Sequence, residues 1–244
     1  MDYKLGLVSV SFRGHSPREI LSAMKECGLE YIEWGSDVHV PPEKANEIVG
    51  LQREFGIKCS SYGTYFRLGV TPMGELEKYI QAAKILGTDI LRLWCGDKNS
   101  GDYSPDEKNS LFTACSMAAE LAEKHGVTLC MECHNYTYTN MKESAAELMS
   151  AVDSDNFKMY WQPNQYVSRE ENLAYARLLS DKTVHLHVFN WAGDDKFPLA
   201  GAIDLWKEYL SCFEGGRTLL LEFMPDDMLS TLKTETESLK EIVR

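Results

Sequence analysis

Four times in this chain a helical pattern ends in glycine and a β-type run follows at once: Gly28-LEYIEW, Gly56-IKCSSY, Gly87-TDILRLW and Gly126-VTLCME. A glycine just past a helix takes the left-handed conformation that closes it, and the short turn then launches a strand. The helix starts match. Ser16-Pro17-Arg18-Glu19 and Ser104-Pro105-Asp106-Glu107 read as capping boxes with proline in the first turn, Thr71-Pro72 offers a cap and a proline, and Ser168 to Glu171 offers the box alone. Strands are expected at Leu5–Val10, Glu30–Trp34, Ile57–Tyr62, Asp89–Trp94, Val127–Glu132, Phe157–Trp161, Thr183–Phe189 and Thr218–Phe223. Helical spacing lies between them, as in Leu111, Cys115, Ala118 and Ala122. Eight βα units in 244 residues predict an α/β chain folded as a single (β/α)8 TIM barrel. The rival, a doubly wound open sheet, has no G-x-G-x-x-G after its first strand to support it. With no linker, low-complexity tract or charge block, residues 1–244 are expected to form one domain.

The charge balance narrows the partners. A formal net charge of −12 repels nucleic acid and anionic membranes, so neither is expected. No apolar run approaches the roughly 20 residues that cross a bilayer. The N-terminal LGLVSVSF is too short, and too little preceded by positive charge, for a signal peptide. Seven cysteines are an odd number without framework spacing, so they read as reduced thiols and the expected location is cytoplasmic. Cys130 and Cys133 form a lone C-x-x-C along a strand, which is weak support for a zinc or redox role.

In a parallel barrel the chemistry sits at the carboxyl ends of the strands. The stretch VTLCMECHN starts apolar and then places Glu132, a thiol, His134 and an amide in succession at such an end. Four of the five tryptophans (34, 94, 161 and 191) fall at strand ends too, where flat aromatic faces beside polar groups suit a polyol or sugar. Alternation refines the choice. His185 and His187 share a face, with His187 nearer the top and His185 reading as a satisfied core histidine. Glu132 shares its face with Cys130, and Glu222 with Leu220, so two carboxylates emerge on an otherwise apolar side. Each must be paired, hydrogen-bonded or metal-bound. Glu132, Glu222 and His187 together are a credible set for Mn2+, Mg2+ or Zn2+. The structural alternative has the two carboxylates salt-bridged to Arg92 and Arg67.

The segments YIEWGSDVHVPP, SSYGTYFRLG, ILRLWCG, MECHN, MYWQPNQ, HLHVFNW with PLAGAIDLW, and LLLEF resemble the sugar phosphate isomerase/epimerase family of xylose isomerase-like TIM barrels, in order from strand 2 to strand 8. The resemblance implies a divalent metal, usually Mn2+ or Mg2+, held by Glu, Asp, His and Glu from strands 5 to 8. Glu132, His187 and Glu222 match the first, third and fourth of these. Gln162 stands in the aspartate's place, Gln165 where a histidine commonly follows, and Asn190 where an H-x-K-D motif has aspartate. Gln162 can still offer a carbonyl oxygen, but without charge metal affinity should be weaker.

The activity implied is isomerisation or epimerisation of a ketose, sugar phosphate or related polyol by proton abstraction next to a carbonyl, with Glu132 and Glu222 on opposite sides of the substrate. His134, Arg67 and Gln165 would orient oxygens or a phosphate, Trp34, Trp94 and Trp191 would form walls, and His39 would close over the sugar. Alternatives are a lyase or dehydratase on an inositol- or keto-sugar-type substrate, a sugar-binding barrel without metal, and an endonuclease IV-type repair enzyme. The last is disfavoured by the acidic charge and by the few histidines near the rim. The partner is a small molecule, and assembly into a homo-oligomer is left open.

Overall fold

In a computed structural model that describes residues 2–244, eight parallel strands close into a barrel in sequential order. They are β1 (Lys4–Val8), β2 (Tyr31–Gly35), β3 (Lys58–Leu68), β4 (Ile90–Cys95), β5 (Thr128–Glu132), β6 (Phe157–Trp161), β7 (Thr183–Val188) and β8 (Thr218–Leu221). The helices α1 (Pro17–Cys27), α2 (Ala45–Phe55), α3 (Leu76–Leu86), α4 (Pro105–His125), α5 (Lys142–Ala151), α6 (Arg169–Leu178), α7 (Ile203–Leu210) and α8 (Leu232–Ile242) surround it. The fold is the (β/α)8 barrel that the repeated unit predicts. Gly28, Gly56, Gly87 and Gly126 close α1 to α4 at φ of 73°, 73°, 84° and 65°.

Ser16 and Ser104 make reciprocal capping boxes, whereas Ser168 accepts from the Glu171 amide without a returned bond. Thr71 does not cap α3. Its hydroxyl accepts from the Arg67 amide, and a 3-10 turn at Met73–Glu75 starts the helix instead.

Two strand ends depart from expectation. β1 stops at Val8 and turns into a 3-10 segment, Ser9–Phe12, whose Ser9 hydroxyl accepts from the Gly35 amide at 2.9 Å. β3 runs on to Leu68 because a register shift between Gly63 and Arg67 lets it keep pairing with Trp94 and Cys95 of β4. A two-residue hairpin, Trp191–Ala192 with Asp195–Lys196, stands in the loop after β7.

Alternation splits the sheet into two apolar environments. Outward residues such as Ile32, Trp34, Leu91, Met131, Met159, Trp161 and Leu186 join the large core under the helices. Inward residues form a small separate cluster of Val8, Val10, Cys130, Tyr160 and Leu220. Cys130 and Cys133 therefore lie on opposite faces of β5. Above the small cluster the barrel interior becomes polar, with Glu33, Ser61, Arg92, Glu132, His187 and Glu222 all buried.

Candidate active site

Glu132 ends β5, His187 is the fifth residue of β7, and Glu222 follows β8 directly. Their alternation into the barrel brings ligand atoms of all three within 4.8 Å of one another. His187 Nδ1 is the focus, with Gln162 Oε1 at 2.8 Å, Glu222 Oε2 at 3.3 Å and Glu132 Oε1 at 3.4 Å. Three oxygens and one nitrogen from four consecutive strands thus converge on one point. Such a donor set fits a divalent cation, with an amide oxygen taking the place of a third carboxylate. Glu132, Gln162, His187 and Glu222 are the residues that would hold it.

The two carboxylates differ in their surroundings. Glu132 Oε2 accepts from Arg92 Nη1 at 2.5 Å and from the Trp94 indole N–H. Burial raises the Glu132 carboxyl, but Arg92 and His187 outweigh it and bring it down to about 2. Among the described residues Glu222 has no such donors. Burial lifts it to about 7, with the Glu132 charge adding to the rise while His187 and Arg92 oppose it. On His187 burial disfavours the charged form, yet Glu222 and Glu33 prevail and raise it to about 10.

Metal binding requires free lone pairs on both His187 Nδ1 and Glu222, so it must release protons. Both pKa values are raised, so the competing protons are held at neutral pH and lost as pH rises. Mn2+ affinity should therefore increase about 10²–10³-fold between pH 6 and 8, at about tenfold per pH unit for each proton released. Calorimetric titration in buffers of different ionisation heat would count those protons, and a flat affinity would contradict the assignment.

A cavity of about 270 Å³ opens above this point. Glu132, His134, Gln162, Gln165, Trp191 and Glu222 line it, joined by residues with no role expected from the sequence: Tyr65, Tyr136, Asn164, Tyr166, Phe189 and Phe223. Most of these lie in loops whose path no periodicity encodes. His134 stacks on Trp94 at 5.0 Å, and its Nδ1 lies 2.6 Å from the Asn135 carbonyl. A carbonyl only accepts, so Nδ1 carries a proton and Nε2 is the nitrogen left for a ligand.

Other expected site residues lie elsewhere. Trp34 is not a wall of the mouth: it points outward and donates to Gln52 Oε1 of α2 at 3.0 Å. The alternation that sends His187 inward sends Trp34, with Ile32, into the helix layer. Trp161 likewise packs outward on Trp206, Tyr209 and Phe213. His39 does not reach the cavity; it is buried, 3.1 Å from Ser9 Oγ through Nδ1 and packed against Trp34. Arg67 covers the Trp94 ring at 4.2 Å and donates to the carbonyls of Gly96 and Tyr136 rather than to either carboxylate. Asn190 ties the loop after β7 by donating to the Pro198 carbonyl. His185 is a core histidine rather than a ligand, its two ring nitrogens lying 2.9 Å from the Val184 carbonyl and 3.3 Å from that of Ser60, of which the neutral ring donates to one.

Glu33, inward on β2 and at a strand end, is the most important residue with no role expected from the sequence. Arg92 bridges it to Glu132, its Nε donating to Glu33 Oε1 at 2.7 Å. Space for this pair depends on Gly63, where an added Cβ would stand 2.4 Å from Glu33 Oε1 and 2.7 Å from Arg92 Nη2. Gly63→Ala should cost about 1–3 kcal/mol as an overpacking change. Urea unfolding would show it as a lowered midpoint, and an unchanged midpoint would mean that the notch is not tight.

Comparison with known proteins agrees with this architecture. A family model described as a xylose isomerase-like TIM barrel matches residues 21–210. A 3-dehydroshikimate dehydratase of Bacillus anthracis is 27% identical over 172 residues, 64% of this chain and 60% of that protein, so the match spans less than two thirds of that relative's length. The crystal structure of the probable 3-DHS dehydratase AsbF of Bacillus anthracis superposes with a TM-score of 0.80 at 18% identity, covering 98% of this chain and 99% of that one. That of the IOLI protein with a bound zinc atom gives 0.75 at 15% identity, covering 98% and 96%. At such identities the structural likeness speaks for the fold. With the family model spanning most of its length, this chain belongs to the xylose isomerase-like TIM barrel family.

Proposed function

We propose that this protein is a metal-dependent lyase that removes a proton next to a carbonyl of a small polyhydroxylated substrate and expels the neighbouring hydroxyl as water. The observation that carries this reading is the inequality of the two carboxylates. An epimerase must return the proton to the opposite face, which needs two groups able to exchange protons. Here Glu132 Oε2 is occupied by Arg92 and Trp94, while Glu222 is free of such donors. One free carboxylate suffices for elimination on a single face. Glu222 takes the carbon-bound proton, the electron pair moves toward the carbonyl, and the same proton is then handed to the departing hydroxyl. A divalent cation held by Glu132, Gln162, His187 and Glu222 would stabilise the charge that develops on the carbonyl oxygen.

His134 Nε2, the ring nitrogen left open at the cavity wall, would accept from a substrate hydroxyl, and Trp191 and Phe223, 5.0 Å apart, would shield the site from water. Arg92 is committed to Glu33 and Glu132, Arg67 to backbone carbonyls, and Arg13 to Asp37 and Tyr65. Arg92 lines the cavity but is already held by two carboxylates, so an unphosphorylated substrate is favoured.

The similarity to a 3-dehydroshikimate dehydratase makes that keto-acid the first compound to try, beside keto-inositols and ketoses. Protein supplied with Mn2+ is expected to yield a product lighter by one water, detected by mass spectrometry and as new ultraviolet absorbance from the conjugated carbonyl. Deuterium exchange with epimer formation and no dehydrated product would sink the lyase reading in favour of an epimerase. No exchange with any compound would sink catalysis altogether.

A further inference from the structure

His187 is gripped from both sides of its ring. While Nδ1 meets the three oxygens of the site, Nε2 faces Glu33 Oε2 at 3.5 Å on the opposite side. The ring face rests on Tyr160, with centroids 4.5 Å apart. Glu33 itself is immobilised: it is fully buried, Ser61 Oγ donates to its Oε2 at 2.9 Å, and Arg92 Nε holds its Oε1. Ser61 Oγ lies 3.1 Å from Tyr160 Oη, so the residue under the ring belongs to the same network. The missing side chain at Gly63 makes room for the carboxylate. Three strands that supply none of the converging donors thus build a seat for one that does.

We propose that Glu33 is the positioning residue of the site. By accepting from His187 Nε2–H it holds that proton in place, so that the proton given up when a metal binds is the one on Nδ1, the nitrogen aimed at the point shared with Glu132, Gln162 and Glu222. This inference rests on the reading of that point as a divalent-cation site. A carboxylate behind a ligating imidazole orients the ring and strengthens it as a ligand, and losing such a partner costs about 10–100-fold in metal affinity. Glu33 is also an ion-pair partner of Arg92, and a purely structural role would end there. Glu33→Gln separates the two. The amide can still accept from Arg92 Nε, but its NH2 group facing His187 Nε2 favours the opposite tautomer, with the proton on Nδ1 where the metal should bind.

The test titrates wild type, Glu33→Gln and a control, Leu86→Ala in the helix layer, with Co2+ alone, reading the visible absorption of the bound ion. Glu33→Gln should bind Co2+ about 10–100-fold more weakly, with the control unchanged however much thermal stability it loses. Affinity within twofold of wild type would overturn the proposal. A second readout needs no metal. In 15N-histidine-labelled apoprotein, the downfield proton bonded to His187 Nε2 should be present in wild type and lost or shifted upfield in Glu33→Gln. An unchanged signal would also overturn the proposal. If wild type binds no Co2+ yet the Nε2 proton responds to Glu33→Gln, the cation site is refuted while the grip of Glu33 on the ring stands.

Discussion

Glu222→Gln is expected to lower turnover by about 10²–10⁴-fold, the range for losing one positioned acid–base group. Substrate affinity should change far less, because the amide keeps the shape and one oxygen of the carboxylate. The expectation follows from surroundings rather than from identity, since Glu132 is as buried and as close to His187. Arg92 and Trp94 hold Glu132 in its ionised form, so under the proposed function its part is to fix geometry and charge. Glu222 lacks such donors, and burial raises it where Arg92 lowers Glu132, so under the proposed function it is the carboxylate placed to take the proton. Single-turnover measurements at saturating substrate would isolate the chemical step. Turnover within tenfold of wild type would remove Glu222 from the proton-transfer role.

Arg92→Met should produce the largest loss of stability, about 3–5 kcal/mol, because it strands buried carboxylates without their cation. Arg92 is 3% exposed and bridges Glu33 and Glu132, with Glu222 also favouring its charge. In a chain of 244 residues that loss corresponds to a melting temperature about 6–20 °C lower. The carboxylate contribution of Glu132 to the pH dependence should change sign. In wild type the Glu132 pKa is lowered to about 2, so its stabilisation is present above the unfolded value and is lost as pH falls. In the variant, burial without a partner raises the carboxyls, so the folded state holds more protons and gains stability as pH falls. Melting curves at pH 5 and 8 would show the variant recovering at the lower pH. Parallel behaviour of the two proteins would argue against a buried ion-pair role.

Much of the site was legible because strands alternate with a period of two and a parallel barrel does its chemistry at one end. Those rules alone connect Glu132, His187 and Glu222, which the structure brings within 4.8 Å. Applied to YIEWG, the same alternation places Trp34 outward with Ile32 and Glu33 inward, so the signal for Glu33 was present in the sequence. Clustering of tryptophans at strand ends obscured it, since aromatic residues there serve either the mouth or the helix layer. Trp94 and Trp191 belong to the first kind, Trp34 and Trp161 to the second. No comparable signal marked the loop residues Tyr136 and Tyr166, or the turn of Arg67 over Trp94.

The sequence by itself determined the eightfold repeat, most of the helix caps and the inward face of each strand, because all of these depend on local conformational preference and spacing. Only the tertiary structure decided which inward groups would own one another's charge. Arg92 settled on Glu33 and Glu132, Glu222 was left without a strong donor, and Gly63 gave way to a carboxylate from the neighbouring strand. Electrostatic pairing in a buried interior depends on ångström-scale distances between residues remote in the chain, and no local pattern encodes those distances.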